Sequence, residues 1–135
     1  MQYWLLKSEP EEYSWDDLVR QGRGVWDGVR NPQAANYMRQ MRLKDLAYFY
    51  HTGKEKAIVG VMEVVRTAFP DPTDSAARFV AIEVLPLQKL ANPVSLSVMR
   101  QDSALAGLLI LRQPRLSVAP VSTKQWQRIL QLSCL

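Results

Sequence analysis

The sequence predicts an α+β fold in which mixed strands close on one another and short helices plug the ends. Three observations predict it. The runs 57–66 and 79–87 carry apolar side chains on both faces of an extended chain, apart from Glu83, as strands buried inside a sheet do. Each clear helix signal is short and starts at its own capping residue: Ser14, Asn31 or Ser122. No repeat, low-complexity tract or linker divides the chain, so its 135 residues, 47% of them hydrophobic, are expected to form one domain over 1–135.

Taken in order, Tyr3, Trp4, Leu5 and Leu6 read as a buried first strand stopped by Pro10. Ser14 with Asp16 and Asp17 opens a helix over 15–21, which Gly22 and Gly24 end. A short aromatic strand over 25–29 is broken by Gly28, after which Asn31 caps and Pro32 begins a second helix over 32–42. In that helix Ala34, Ala35, Met38 and Met41 recur at spacings of three and four, which makes the methionines core packing. Strands at 46–51 and 57–66 flank a polar loop containing Gly53. The segment 69–75, with Pro70, Pro72 and two aspartates, reads as a loop. Between 90 and 111 the pattern is ambiguous: Ser95 can cap a short helix, and 108–111 fits a strand or a helix end. A strand at 115–118 ended by Pro120 and a helix over 123–132, with Ser122 and Gln125 as its capping box, complete the chain.

Composition excludes several classes. The single cysteine, Cys134, permits no internal disulfide and is expected to be a bystander thiol. One histidine and one cysteine cannot build a zinc-type site, which leaves only an all-carboxylate Mg²⁺ site open, and no cofactor or metal is expected. No P-loop or G-x-G-x-x-G occurs, which argues against nucleotide triphosphates and dinucleotides. Neither a membrane-length apolar run nor a leader-like N-terminus is present, so the expectation is a soluble, cytoplasmic monomer. The net charge is +4, and residues 1–102 balance 13 bases against 13 acids, so Arg112, Arg115, Lys124 and Arg128 supply the whole excess. A basic C-terminal third attracts polyanions, nucleic acid being the commonest, although a solvated surface fits the same charges.

Three segments offer chemistry. Lys7, Ser8 and Glu9 sit where the first strand meets a proline-forced turn: Lys7 could meet a phosphate, and Ser8 with Glu9 a base edge. In 26–31, Trp26 beside Gly28, then Arg30 and Asn31 at a helix start, combine a stacking surface, a charged fork and oriented backbone N–H groups. The competing reading makes Trp26 core and pairs Arg30 with Asp27. At 48–51 alternation puts Tyr48 and Tyr50 on one face and Phe49 and His51 on the other. His51 has no evident nucleophile as partner, so it reads as structural or ligand-contacting.

In this order the segments resemble the EVE domain family of the PUA-like superfamily. The matching blocks are Tyr3-Trp4-Leu5 with Lys7-Ser8-Glu9-Pro10, then Trp26 to Asn31 with Gln33, Ala34, Asn36, Arg39 and Met41, then Phe49-Tyr50-His51. Gly60, Glu63-Val64, 70–73, 115–118, Pro120-Val121 and Trp126 extend the match nearly end to end. The resemblance implies a PUA-like mixed β pseudo-barrel with short flanking α-helices and a pocket for a base, either modified cytosine in DNA or a modified base in RNA. It implies a ligand-binding set of Lys7, Ser8, Glu9, Trp26, Val29, Arg30, Asn31, Tyr50 and His51, with Lys7, Arg30 and Arg115 on phosphates. Four positions depart from the family pattern: Ala35 replaces a usual arginine, Pro32 an aromatic, Lys44 a glycine and Phe79 a tryptophan.

The expected mechanism stacks an extruded base on Trp26, worth about 1 to 3 kcal/mol, while Ser8, Glu9 and Asn31 read its edge. On this expectation Trp26→Ala stays folded and loses the ligand. The runner-up is a PUA-like hydrolase of a modified nucleoside using Lys7, Glu9 and His51, with a protein-interaction module third.

Overall fold

The computed structural model describes residues 1–134. The elements run β1 (Tyr3–Ser8), α1 (Trp15–Gln21), β2 (Gly24–Trp26), α2 (Pro32–Gln40), β3 (Leu46–His51), β4 (Ala57–Pro70), β5 (Val80–Ser95), α3 (Leu96–Gln101), a 3-10 turn (Ser103–Leu105), α4 (Leu109–Arg112), β6 (Val118–Val121) and α5 (Thr123–Ser133). The strands form one six-stranded sheet in the order β2-β5-β4-β3-β1-β6. Only β1 and β3 pair in parallel; every other ladder is antiparallel. A parallel pair needs a long crossover, and α1, β2 and α2 supply it. The register between β4 and β5 shifts at four places, and such bulges bend and twist the sheet.

The capping signals act where the sequence puts them. Ser14 and Asp17 close a reciprocal capping box on α1, and Gly22 ends that helix at φ 73°. The side chain of Asn31 accepts from the Ala34 N–H to start α2. That helix stops at Gln40 rather than 42, because the Arg42 N–H donates to the buried carboxylate of Asp45. Asp45 also accepts from the Gln2 N–H and the Trp4 indole, so one carboxylate ties the chain start, β1 and the α2–β3 turn together.

The strand boundaries needed correction. Chain 69–70, expected as loop, continues β4 because Phe69 and Pro70 still pair with Ala81 and Val80. Strand β5 runs on to Ser95, whose side chain then caps α3, and 109–112 is helical. The last strand lies at 118–121 and includes Pro120, where 115–118 was expected to end before it. Strand β6 is an edge paired only with β1, and an edge tolerates a residue without an N–H. Strand β2 is only three residues long, since Gly28 turns away at φ 77°.

Two aromatic clusters fill the core. On one face of the sheet Tyr48 stacks on Trp126 at 3.7 Å, holding α5 down. On the other Phe49, fully buried, meets the rings of Trp15, Trp26 and His51 edge to face, at 5.7, 5.2 and 5.4 Å. Trp15 lies against Gly60 of β4, where an added Cβ would come within 2.5 Å of its ring. Gly60→Ala is therefore expected to destabilise the protein by about 1 to 3 kcal/mol through overpacking. Denaturant unfolding checks this, and Trp15→Phe in the same background should recover part of the loss.

Candidate functional site

At one end of β1 a cavity of about 840 Å³ opens between the strand end, the turn 9–13, β2 and the segment 27–30. Its shape follows from local bonds. The Ser8 hydroxyl donates to the Tyr13 carbonyl at 2.6 Å, and the Glu9 carbonyl accepts from the Glu12 and Tyr13 N–H groups, which folds the turn back on the strand. The Tyr13 hydroxyl donates to Gln21 at 2.7 Å and lies against Gly24, where a Cβ would fall 2.1 Å from it. Burial, with Asp17 and Asp27 nearby, raises the Tyr13 pKa, so the hydroxyl keeps its proton.

Trp26 forms the rear wall but is no open stacking platform. Its residue is only 6% exposed, and its ring packs edge-on against Phe49 and Tyr13. The expectation of a free aromatic face is corrected: core and cavity share this side chain.

The wall at 27–30 is held by Asp71, whose side chain is fully buried. It accepts from the Gly28 N–H at 2.8 Å, from Arg30 at 3.0 Å and from both the N–H and hydroxyl of Thr73. Burial alone would raise this carboxyl, but the donors outweigh it and hold its pKa down at about 2. Arg30 thus pairs with Asp71 rather than Asp27, spends its second nitrogen on Thr73 at 2.9 Å, and lies 5.4 Å from the Phe79 ring.

Of the expected contact residues, Lys7, Ser8, Glu9, Trp26, Val29 and Arg30 line this cavity. Asn31, Tyr50, His51 and Arg115 do not. Asn31 commits its side-chain oxygen to the α2 cap and borders a separate depression with Gln33, Gln113 and Arg115. His51 is buried between elements: Nε2 accepts from the Trp15 N–H at 3.0 Å, so Nδ1 carries the proton and donates to Glu55 at 2.7 Å. Tyr50 and Arg115 border a second cavity, of about 470 Å³, on the other side of Lys7. The trio Lys7, Glu9 and His51 is consequently not assembled around one space. Residues unforeseen in the sequence are Glu12, Tyr13, Gln21, Arg23 and Ser117, all lining the first cavity. Tyr13 had a local signal, as the residue before a helix cap with Leu18 in the stapling position.

The electrostatics of the first cavity are one-sided. Its cations are already engaged: Arg23 with Glu83 at 2.8 Å, Arg30 with Asp71, and the Lys7 ammonium on the Pro114 carbonyl at 2.9 Å. The carboxylates of Glu9, Glu12 and Asp27 make no ion pair among the described residues. The Glu9, Glu12 and Asp27 carboxylates thus offer acceptors suited to an amino-bearing edge, with Val25, Val29 and Trp26 as the apolar wall. Nor does the C-terminal basic excess act as one face, since Arg128 is paired with Asp102 at 2.7 Å.

The sequence profile of the EVE domain matches residues 2–132. The chain belongs to the EVE family. It is 33% identical to mouse thymocyte nuclear protein 1, over 96% of this chain and 73% of that protein. Its fold is similar to that of Rpa0253 from Rhodopseudomonas palustris, with a TM-score of 0.93 at 38% identity over 99% of this chain and 94% of that one. It is likewise similar to the human THYN1 protein in complex with 5-methylcytosine-containing DNA, with a TM-score of 0.88 at 28% identity over 98% of each chain.

The departures from the family pattern fall outside the cavity lining in this EVE domain. Ala35 is buried against the core, Pro32 starts α2, and Lys44 adopts the left-handed φ of 73° that a glycine would take without strain. Phe79 supports Arg30 from beneath.

Two predictions follow from this geometry. Asp71 has a folded-state pKa of about 2, below its unfolded value of about 3.9, so its contribution of about 2 to 3 kcal/mol is complete above about pH 4. It fades as pH falls toward 2, so the stability gap between the native protein and Asp71→Asn should narrow over that window in unfolding titrations. Trp26→Ala should now lose about 3 to 5 kcal/mol of stability as well as the cavity wall, whereas Trp26→Phe keeps the fold. Denaturant unfolding of both variants checks this.

Proposed function

We propose that this EVE domain binds nucleic acid and receives one base, a modified cytosine in DNA, in the 840 Å³ cavity. The observation that carries the reading is the charge of the lining: both arginines paired with acids, three carboxylates in no ion pair among the described residues, and one wall apolar. Carboxylates that have no cation to meet repel a phosphate but accept hydrogen bonds from the exocyclic amino group of cytosine. The apolar side of Val25, Val29 and Trp26 suits a methyl group at C5 of that base. The human relative solved with 5-methylcytosine-containing DNA supports the same class of ligand. The volume lies within the range of about 300 to 1,000 Å³ typical of small-ligand sites.

A base inside a duplex reaches such a cavity only by leaving the stack, at a cost of a few kcal/mol. Stacking on an exposed ring does not offset that cost here, because Trp26 is buried against Phe49 and Tyr13. The offset comes from burial of the base and hydrogen bonds to charged acceptors, each worth about 1.5 to 3 kcal/mol.

Titration of oligonucleotides that differ at one position, cytosine against 5-methylcytosine, in DNA and RNA and in single and double strands, tests the reading. The methylated DNA should bind about fourfold tighter, the equivalent of burying one methyl group at about 0.8 kcal/mol. Glu9→Gln, which is isosteric and exposed, should weaken both forms at unchanged stability. Equal binding of the two bases, or no effect of Glu9→Gln, Glu12→Gln and Asp27→Asn together, overturns the assignment.

A further inference from the structure

The second cavity has the opposite electrostatics to the first. It meets the first at Lys7, Glu9 and Ser117 and is bordered by Lys56, Arg100 and Arg115, brought together from the β3–β4 loop, α3 and the segment before β6. None of these three cations makes an ion pair among the described residues, and Glu9 at the junction is the only acid in the lining. The floor is apolar, from Tyr50, Leu96, Ile110 and Pro114. Beyond Lys56 and Arg100 the depression continues into a further one that adds Lys54 and Glu55, the latter engaged by His51.

The crowding is unfavourable in the free protein. Burial lowers the pKa of Lys7, and the neighbouring Arg100 lowers it further, while Lys7 makes no ion pair among the described residues. A multivalent anion laid along the groove would relieve that crowding. Its position beside the proposed base cavity narrows the choice of anion to one covalently continuous with a base.

We propose that this groove seats the sugar-phosphate backbone adjoining the inserted base, with Lys56, Arg100 and Arg115 on its phosphates and Lys7 at the bend between backbone and base. The proposal rests on the reading of the first cavity as a base site. It reassigns the phosphate role from Arg30, which Asp71 neutralises, to Lys56 and Arg100, which lie far from the C-terminal basic excess in sequence. The sugars lie on the apolar floor, and the strand leaves past Lys54.

The test compares Lys56→Gln/Arg100→Gln with Lys89→Gln/Lys124→Gln, which removes two exposed cations that border none of these depressions. Affinity for methylated and unmethylated oligonucleotides is measured across a salt series. The groove variant should weaken both ligands alike and reduce the slope of log K against log [salt] by about 1 per lost contact, about 2 in all, while the control leaves the slope unchanged. The fourfold preference for the methylated strand should survive in both. Equal slopes in groove variant and control overturn the proposal even where the base preference holds. A groove-dependent slope with no base preference keeps the groove and overturns the base reading, and a native protein that binds no oligonucleotide overturns both. Methylated deoxycytidine 5′-monophosphate binding as tightly as a six-nucleotide strand would replace the backbone track with a single phosphate site. Displacement of the strand by an acidic peptide of equal charge at equal concentration would overturn nucleic acid as the occupant.

Discussion

The edge-to-face packing around Phe49 is the constraint on which both the fold and the site depend. This one ring joins β3 to the start of α1 through Trp15, to β2 through Trp26 and to the end of its own strand through His51. The approach of Trp15 requires the bare backbone of Gly60 on the neighbouring strand. Because His51 accepts from the Trp15 N–H, the helix start is fixed to the sheet by a polar bond inside an apolar cluster. The cavity therefore has no aromatic wall separable from the core. Its rear surface is the outer edge of the packing that holds β2 to the sheet, which gives it the rigidity a preorganised site needs.

The polar side of the site is built differently, by neutralising charge in advance. Asp71 enters from the 71–79 loop and satisfies four donors, so the irregular chain at 27–30 keeps its shape without regular secondary structure. The same contacts use up Arg30, and Glu83 uses up Arg23 and Arg66. Among the described residues, three carboxylates in the first cavity and three cations in the groove beside it are then left without an ion pair. The proposed ligand, a base with an amino group and its attached phosphates, has that same division of character.

Features set by neighbouring residues were legible in the sequence. The caps at Ser14, Asn31 and Ser122 appear where expected, since a side chain bonding an N–H three residues ahead needs nothing beyond the local chain. Features set by distant partners were not. Pro120 reads as a terminator until β1 offers it an edge, and Arg30 reads as free until Asp71 arrives from 41 positions away. Trp26 carries no local mark that tells a ligand platform from a core ring; its burial depends on Phe49 of another strand. Lys56, Arg100 and Arg115 escaped notice as a group because charge counted along the chain averages over residues that only the fold gathers.

The alternation read at 48–51, which put Tyr50 and His51 on opposite faces, outweighs the family resemblance, which put both in one ligand-binding set. In the parallel ladder Lys7 lies opposite Tyr50, and Ser8 opposite His51. Successive side chains point to opposite faces, so Ser8 and His51 share the side of Phe49, while Lys7 and Tyr50 share the side of Tyr48. The contacts agree: Ser8 bonds Tyr13 at the first cavity and His51 bonds Trp15 in the core behind it, whereas Lys7 lies 5.4 Å from the Tyr50 ring beside the groove. The end of β1 thus presents side chains to both faces of the sheet within two residues. Strand β1 ends there, at Ser8, because Pro10 turns the chain away, and the two cavities open on either side of that end.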